Sequence, residues 1–198
     1  LIGGAGKDIL NGGRGTDTMS GGEGDDQFVW NPGDGSDVIE GQDGNDTLVF
    51  NGANIAETID MSANGSRFRF FRDVANITMD CAGIEQVVFR ALGGADLVTV
   101  NDLTGTTVSN VVVDLSASTG TGDGAADTVI VNGTQTNDVI TVNGSTNGVK
   151  VVGLSAAVTV IGAEPALDQL MINALNGADI VDASALPAGL IQLTLNGG

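Results

Sequence analysis

The chain has 198 residues, enough for one or two domains with a real core, and carries 25 Asp and Glu against 7 Lys and Arg, a formal net charge of −18. It has no His, which removes His-ligated zinc, Ser-His-Asp and Cys-His nucleophiles and an HExxH helix, and its acid excess argues against a nucleic-acid partner. With 41% hydrophobic residues and a positive mean hydropathy, the acids belong to a folded chain rather than a disordered one.

Cys81 is the single cysteine, so no internal disulfide forms, and it is expected to be a small buried apolar residue. No run of 18 apolar residues occurs and no signal peptide is found, so no membrane span is expected. Leu1-Ile2-Gly3-Gly4 opens inside a pattern and Leu195-Asn196-Gly197-Gly198 closes inside one, which reads as a piece of a longer repetitive protein.

The first pattern is nine residues long. Gly3 to Asn11, Gly12 to Ser20 and Gly21 to Val29 follow without a gap; after Trp30-Asn31 come the looser copies Pro32 to Glu40 and Gly41 to Val49. The sixth position is always Asp (Asp8, Asp17, Asp26, Asp37, Asp46) and the eighth always apolar (Leu10, Met19, Phe28, Ile39, Leu48). This spacing predicts a glycine turn and a very short strand, twice per coil of a solenoid, with the eighth side chain filling a thin core. Turns one coil apart stack, placing Asp8, Asp26 and Asp46 in one column and Asp17 and Asp37 in another. Unpaired carboxylates so stacked repel by roughly a few kcal/mol, which calls for a cation between them. Oxygen-only ligands with flexible geometry select calcium.

These five turns resemble the RTX family, whose GGxGxDxUx repeats form calcium-bound parallel β-rolls in secreted bacterial proteins. The resemblance covers residues 3–49 and implies that each ion is held by odd-position carbonyls of one turn and by even-position carbonyls plus the Asp of the turn one coil later. On that pattern Gly3, Ala5 and Lys7 face Gly22, Gly24 and Asp26, while Gly12, Arg14 and Thr16 face Gly33, Gly35 and Asp37. Likewise Gly21, Glu23 and Asp25 face Gln42, Gly44 and Asp46. Asp8 and Asp17 complete the metal set. Lys7 and Arg14 depart from the family pattern and would act through backbone oxygen only. The resemblance also implies type I secretion and a site of action outside the cell.

A longer repeat follows. Asp46-Thr-Leu-Val-Phe-Asn-Gly52 matches Asp127-Thr-Val-Ile-Val-Asn-Gly133, and Leu92-Gly-Gly-Ala-Asp-Leu-Val98 matches Leu175-Asn-Gly-Ala-Asp-Ile-Val181, at offsets of 81 to 83 residues throughout. The expected organisation is a nonapeptide roll over 1–50, one long unit over 46–126 and a second, truncated copy over 127–198. Short β-branched runs every 9 to 12 residues, without helical periodicity, predict an all-β fold. The roll is expected to continue into a larger β-solenoid or β-helix. The alternative is a roll plus an antiparallel β-sandwich, because Ile140 to Lys150 reads as a hairpin with a polar loop. Acids precede strands in pairs 11 apart, such as Asp46 and Glu57 or Asp127 and Asp138. They read as turn-capping groups, with further calcium as the competing role.

Arg67, Arg69 and Arg72 with Asp73 and Asp80 form the best cluster for an enzyme acting on an acidic polysaccharide. The alternation of Arg67 and Arg69 with Phe68 and Phe70 reads instead as a strand with one wet face. The function expected is therefore a non-catalytic calcium-binding repeat region of a large secreted bacterial protein, folding outside the cell. A structural or adhesive surface or biofilm element is the second reading and an enzyme the third. Partners beyond calcium would be a second copy, a cell surface or a polysaccharide.

Overall fold

A computed structural model describes all 198 residues. Its strands, in chain order, are β1 (Ile2–Ala5), β2 (Ile9–Leu10), β3 (Thr18–Glu23), β4 (Gln27–Trp30), β5 (Val38–Asp43), β6 (Thr47–Asn51), β7 (Thr58–Asn64), β8 (Arg67–Arg72), β9 (Ile77–Ala82) and β10 (Gln86–Leu92). They continue as β11 (Leu97–Val100), β12 (Asn110–Ala117), β13 (Thr128–Asn132), β14 (Val139–Ser145), β15 (Gly148–Val152), β16 (Ala157–Ile161), β17 (Gln169–Asn173), β18 (Ile180–Ala185) and β19 (Gln192–Asn196).

The strands fall into two sheets, ordered β1-β3-β5-β9-β8-β7-β11-β13-β17-β19 and β18-β14-β15-β16-β12-β10-β6-β4-β2. Along the nonapeptides the chain changes sheet at every turn, so each strand pairs in parallel with the one a coil later: β1 with β3, β3 with β5, β2 with β4 and β4 with β6. The same parallel ladders pass without a break into the longer units, through β5 with β9 and β6 with β10. The chain is an all-β solenoid, as the repeats predict.

Alternation within each strand builds the core. The eighth-position residues Met19, Phe28, Ile39 and Leu48 are buried, as is Leu10. In-register parallel pairing turns them into columns, so that Leu10, Phe28, Leu48, Val87, Val111 and Val158 lie side by side across one sheet. Trp30 stacks on Phe50 with ring centroids 4.1 Å apart, and Phe50 on Phe70 at 4.2 Å, so one aromatic stack joins the roll to the first long unit. Cys81 is buried in this core, where desolvation raises its thiol pKa.

The hairpin read at Ile140 to Lys150 exists: β14 and β15 pair antiparallel, with Ser145 opposite Gly148. The sandwich drawn from it does not, because the hairpin is inserted edge to edge in a solenoid sheet, β15 pairing on to β16 and β16 to β12. The first unit carries the equivalent insertion, β7-β8-β9, with Asn64 opposite Arg67.

Candidate metal centre

Each nonapeptide turn folds its sixth-position carboxylate inward. Asp26 and Asp46 are buried, and one oxygen of each accepts the backbone amide of the acid one coil earlier: Asp8 donates to Asp26 Oδ1 and Asp26 to Asp46 Oδ1, both at 2.8 Å. In the opposite column Asp17 donates to Asp37 Oδ1 at 2.9 Å. The sequence-predicted columns therefore form. Gly3, Gly21 and Gly41 open these turns because a Cβ at any of them would run into the Oδ2 of its own Asp8, Asp26 or Asp46.

Those same oxygens, Oδ2 of Asp8, Asp26 and Asp46, are buried and have no hydrogen-bond partner. A buried carboxylate oxygen with nothing to bind is costly, so the arrangement fits a cation. Burial, then repulsion from neighbouring acids, holds the Asp37 and Asp46 carboxyls above their ordinary range, with amide donors opposing. No three acid side chains converge on one point, so backbone carbonyls must complete any coordination shell. They are at hand: the space beside Gly3 is shared by Asp8 Oδ2 and the Gly21 carbonyl, and that beside Gly21 by Asp26 Oδ2 and the Gly41 carbonyl.

Two carbonyls of the expected set meet protein donors. The Gly35 oxygen accepts the Trp30 indole N–H at 2.8 Å, across the two-residue interruption, which leaves its second lone pair for an ion. The Glu23 carbonyl accepts the Gly6 amide of the preceding coil at 2.7 Å. Gly3, Ala5, Lys7 and Gly22 lie together in the stacked first and third turns, and Gly12, Arg14, Thr16 and Gly33 in the second and fourth, on the opposite edge. Lys7 and Arg14 are exposed. Gln42 occupies the second-position glycine slot with φ +78°, and its Oε1 accepts from the Ser20 hydroxyl. Asp25, exposed, accepts the Asn45 amide at 3.0 Å, beside Gly44.

The acid columns extend far beyond the nonapeptides. Asp46 N donates to Glu85, Glu57 N to Asp96, Asp96 N to Asp127, Asp127 N to Asp168 and Asp138 N to Asp179, at 2.7 to 3.0 Å. The later acids thus cap turns, as read, but across coils rather than only within their own loop. An asparagine ladder was missed: Asn196 Nδ2 donates to Asn173, Asn173 to Asn132 and Asn132 to Asn101. Its signal was the recurrent Asn at strand ends in Val131-Asn132-Gly133 and Leu195-Asn196-Gly197.

The arginine cluster disperses into ion pairs. Arg67 pairs with Glu40 and Asp80, and Arg69 with Asp60, on the wet face expected of them. Arg72 does not share that face. It is buried, pairs with Glu57, and lies 5.2 Å from the Trp30 ring centroid. Its parity with Phe68 and Phe70, rather than with Arg67 and Arg69, places it inside. Asp73 accepts the Thr58 amide at the base of the hairpin.

Residues 1–28 and 33–54 match the RTX calcium-binding nonapeptide repeat, in four copies. The break in the match falls on the Trp30-Asn31 interruption. No curated protein matches the chain.

Proposed function

The chain carries RTX repeats, which bind calcium, over about its first quarter, and we propose that calcium bound between these turns is what folds it, outside the cell, after export as an unfolded chain. The observation that carries this reading is the column of buried, unpartnered Oδ2 atoms on Asp8, Asp26 and Asp46. Without an ion the stacked acids repel and the short strands cannot offset chain entropy. With one, binding to the folded form alone adds stability; a tenfold excess over Kd contributes about 1.4 kcal/mol per site. Extracellular calcium modules have Kd of roughly 10⁻⁴ to 10⁻³ M, which keeps such a segment unfolded inside a cell.

The proposed ligands are the carboxylates of Asp26, Asp37 and Asp46, with Asp8 and Asp17 at the end of each column. Carbonyls come from Gly3, Ala5, Lys7, Gly22 and Gly24 on one side, from Gly12, Arg14, Thr16, Gly33 and Gly35 on the other, and from Gly21, Glu23, Asp25, Gln42 and Gly44. The region does no chemistry on this reading, its arginines being held in ion pairs. No helix is long and apolar enough to cross a membrane. Circular dichroism of the chelated chain should lose β-structure and regain it in millimolar calcium; a spectrum indifferent to chelator would refute the proposal.

Sheets that run unbroken from β1 to β19 favour a second reading, a structural or adhesive rod stiffened by calcium. Calcium-dependent self-assembly in light scattering would support that role, and turnover of an acidic polysaccharide would point to an enzyme instead.

A further inference from the structure

Two carboxylates outside the matched repeats share the feature that marks the repeats. Asp96 and Asp127 are 2% and 1% exposed, and the Oδ2 of each is buried with no partner. Other acids on these ladders are closed within their own turns: the second oxygen of Glu57 accepts the Ala53 amide, that of Asp138 the Thr134 amide and that of Asp168 the Glu164 amide. At Asp96 and Asp127 this closure is missing, as it is at Asp26 and Asp46.

The surrounding turns are built alike. Residues 91–96 have the length of a nonapeptide turn, with Gly94 in the fourth position at φ +107°, beside +110° for Gly6 and +120° for Gly24. A Cβ at Gly94 would strike the Ile55 carbonyl of the coil before, as one at Gly24 would strike that of Gly6. Asp123 bridges to the next turn: its Oδ2 accepts the Gly94 amide at 3.1 Å and its Oδ1 the Ala125 amide at 2.8 Å. Glu164 follows one coil on, accepting the Gly124 amide. None of the ion pairs of the chain reaches this group.

We propose that the stacked turns 91–96 and 122–127 hold a divalent cation of the calcium type, with Asp96 and Asp127 as carboxylate ligands and backbone carbonyls completing the shell. The donors are all oxygen, which selects a hard ion. Burial first, then neighbouring acids that include Asp123 for both, lift Asp96 to about 8 and Asp127 to about 6, the electrostatic load a bound cation would relieve. The site lies outside the RTX match and does not depend on the calcium reading of the first turns.

The test counts calcium bound to the chelator-stripped full chain by equilibrium dialysis, in the wild type, in Asp96→Asn/Asp127→Asn and in Asp26→Asn/Asp46→Asn. The first variant should bind one ion fewer than the wild type while keeping the ions that the second loses. Unchanged stoichiometry and affinity in the first variant would overturn the second site; an unchanged count in the other would overturn only the N-terminal one. Hydrogen exchange on the wild type needs no variant to fold. Amides of 91–97 and 122–128 should gain protection as calcium is added, and exchange there that ignores calcium would mean a proton, not a metal, neutralises Asp96.

Discussion

A side chain at Gln42 separates the fifth turn from the third. Gln42 takes the slot filled by Gly22 in the coil before, and an L-residue held there at φ +78° bears a left-handed cost of roughly 1 to 2 kcal/mol. Its compensation is one exposed hydrogen bond from the Ser20 hydroxyl, worth little in water. Gln42→Gly should therefore stabilise the calcium-bound chain by about 0.5 to 1 kcal/mol after glycine's own entropy is charged against it. An upward shift of the urea midpoint at saturating calcium checks this; a downward shift would mean that the side chain matters more than the strain. The neighbouring glycines have no such slack, since a Cβ at Gly21 or Gly41 lands on the carboxylate of Asp26 or Asp46.

Among the elements, the β7-β8-β9 insertion poses the main structural problem, since three strands, β9, β8 and β7, stand between β5 and β11 in one sheet, two more than a plain coil supplies. The acid column of that edge cannot run through it. Arg72, at the end of β8, fills the gap by pairing with Glu57 beneath Trp30. Removing one partner of a buried pair costs about 3 to 5 kcal/mol because the other charge is stranded, whereas replacing both costs less. Arg72→Met should fall in that range, and Arg72→Met/Glu57→Gln should lose less than the two single changes summed. Denaturation of all four forms gives the coupling energy, and strict additivity would show that the pair is not a unit. The sequence disclosed the alternation from Arg67 to Phe70, and so the wet face of Arg67 and Arg69; Arg72 lies beyond that stretch, and the doubled Phe70-Phe71 puts it on the inner set. The columns of Asp8, Asp26 and Asp46 were legible because nine-residue spacing fixes what stacks. The protein donors that meet the Gly35 and Glu23 carbonyls were not, because they depend on which neighbour reaches the oxygen, Trp30 in one case and Gly6 in the other.

Over the whole molecule, the two long units correspond strand for strand, β6 to β12 with β13 to β19, yet they occupy opposite sheets. The hairpin β7-β8-β9 belongs to the ten-stranded sheet and β14-β15-β16 to the nine-stranded one. The cause is parity: between β6 and β13 the chain crosses five times from sheet to sheet, at β6-β7, β9-β10, β10-β11, β11-β12 and β12-β13, and an odd number exchanges the faces. The exchange spreads the insertions over both sheets, and the turn edges carry acid ladders in separate runs, Asp8 to Glu85, Asp17 to Asp37, Glu57 to Asp168 and Asp138 to Asp179. Those ladders set how the calcium-free chain responds to pH. Asp37, Asp46, Asp96, Asp127 and Asp168 all have raised carboxyl pKa values in the folded chain, with burial as the first cause, and for Asp96 the value rises from 3.8 to about 8. A raised folded-state pKa means that the folded form binds protons more tightly than the unfolded one. The stability this contributes is complete below about pH 3.8 and is lost as pH rises through the folded-state values, up to about 8 for Asp96. Self-repulsion of a chain with net charge −18 adds in the same direction. Calcium reverses the sign, because it binds the ionised carboxylates and protons compete with it. The β-structure of the chelated chain, read by circular dichroism, should therefore grow from pH 8.5 to pH 5, while that of the chain in saturating calcium should stay level or fall over the same range. Two curves that ran parallel would mean that the buried acids do not titrate with folding and that the ladders are held by their amide hydrogen bonds alone.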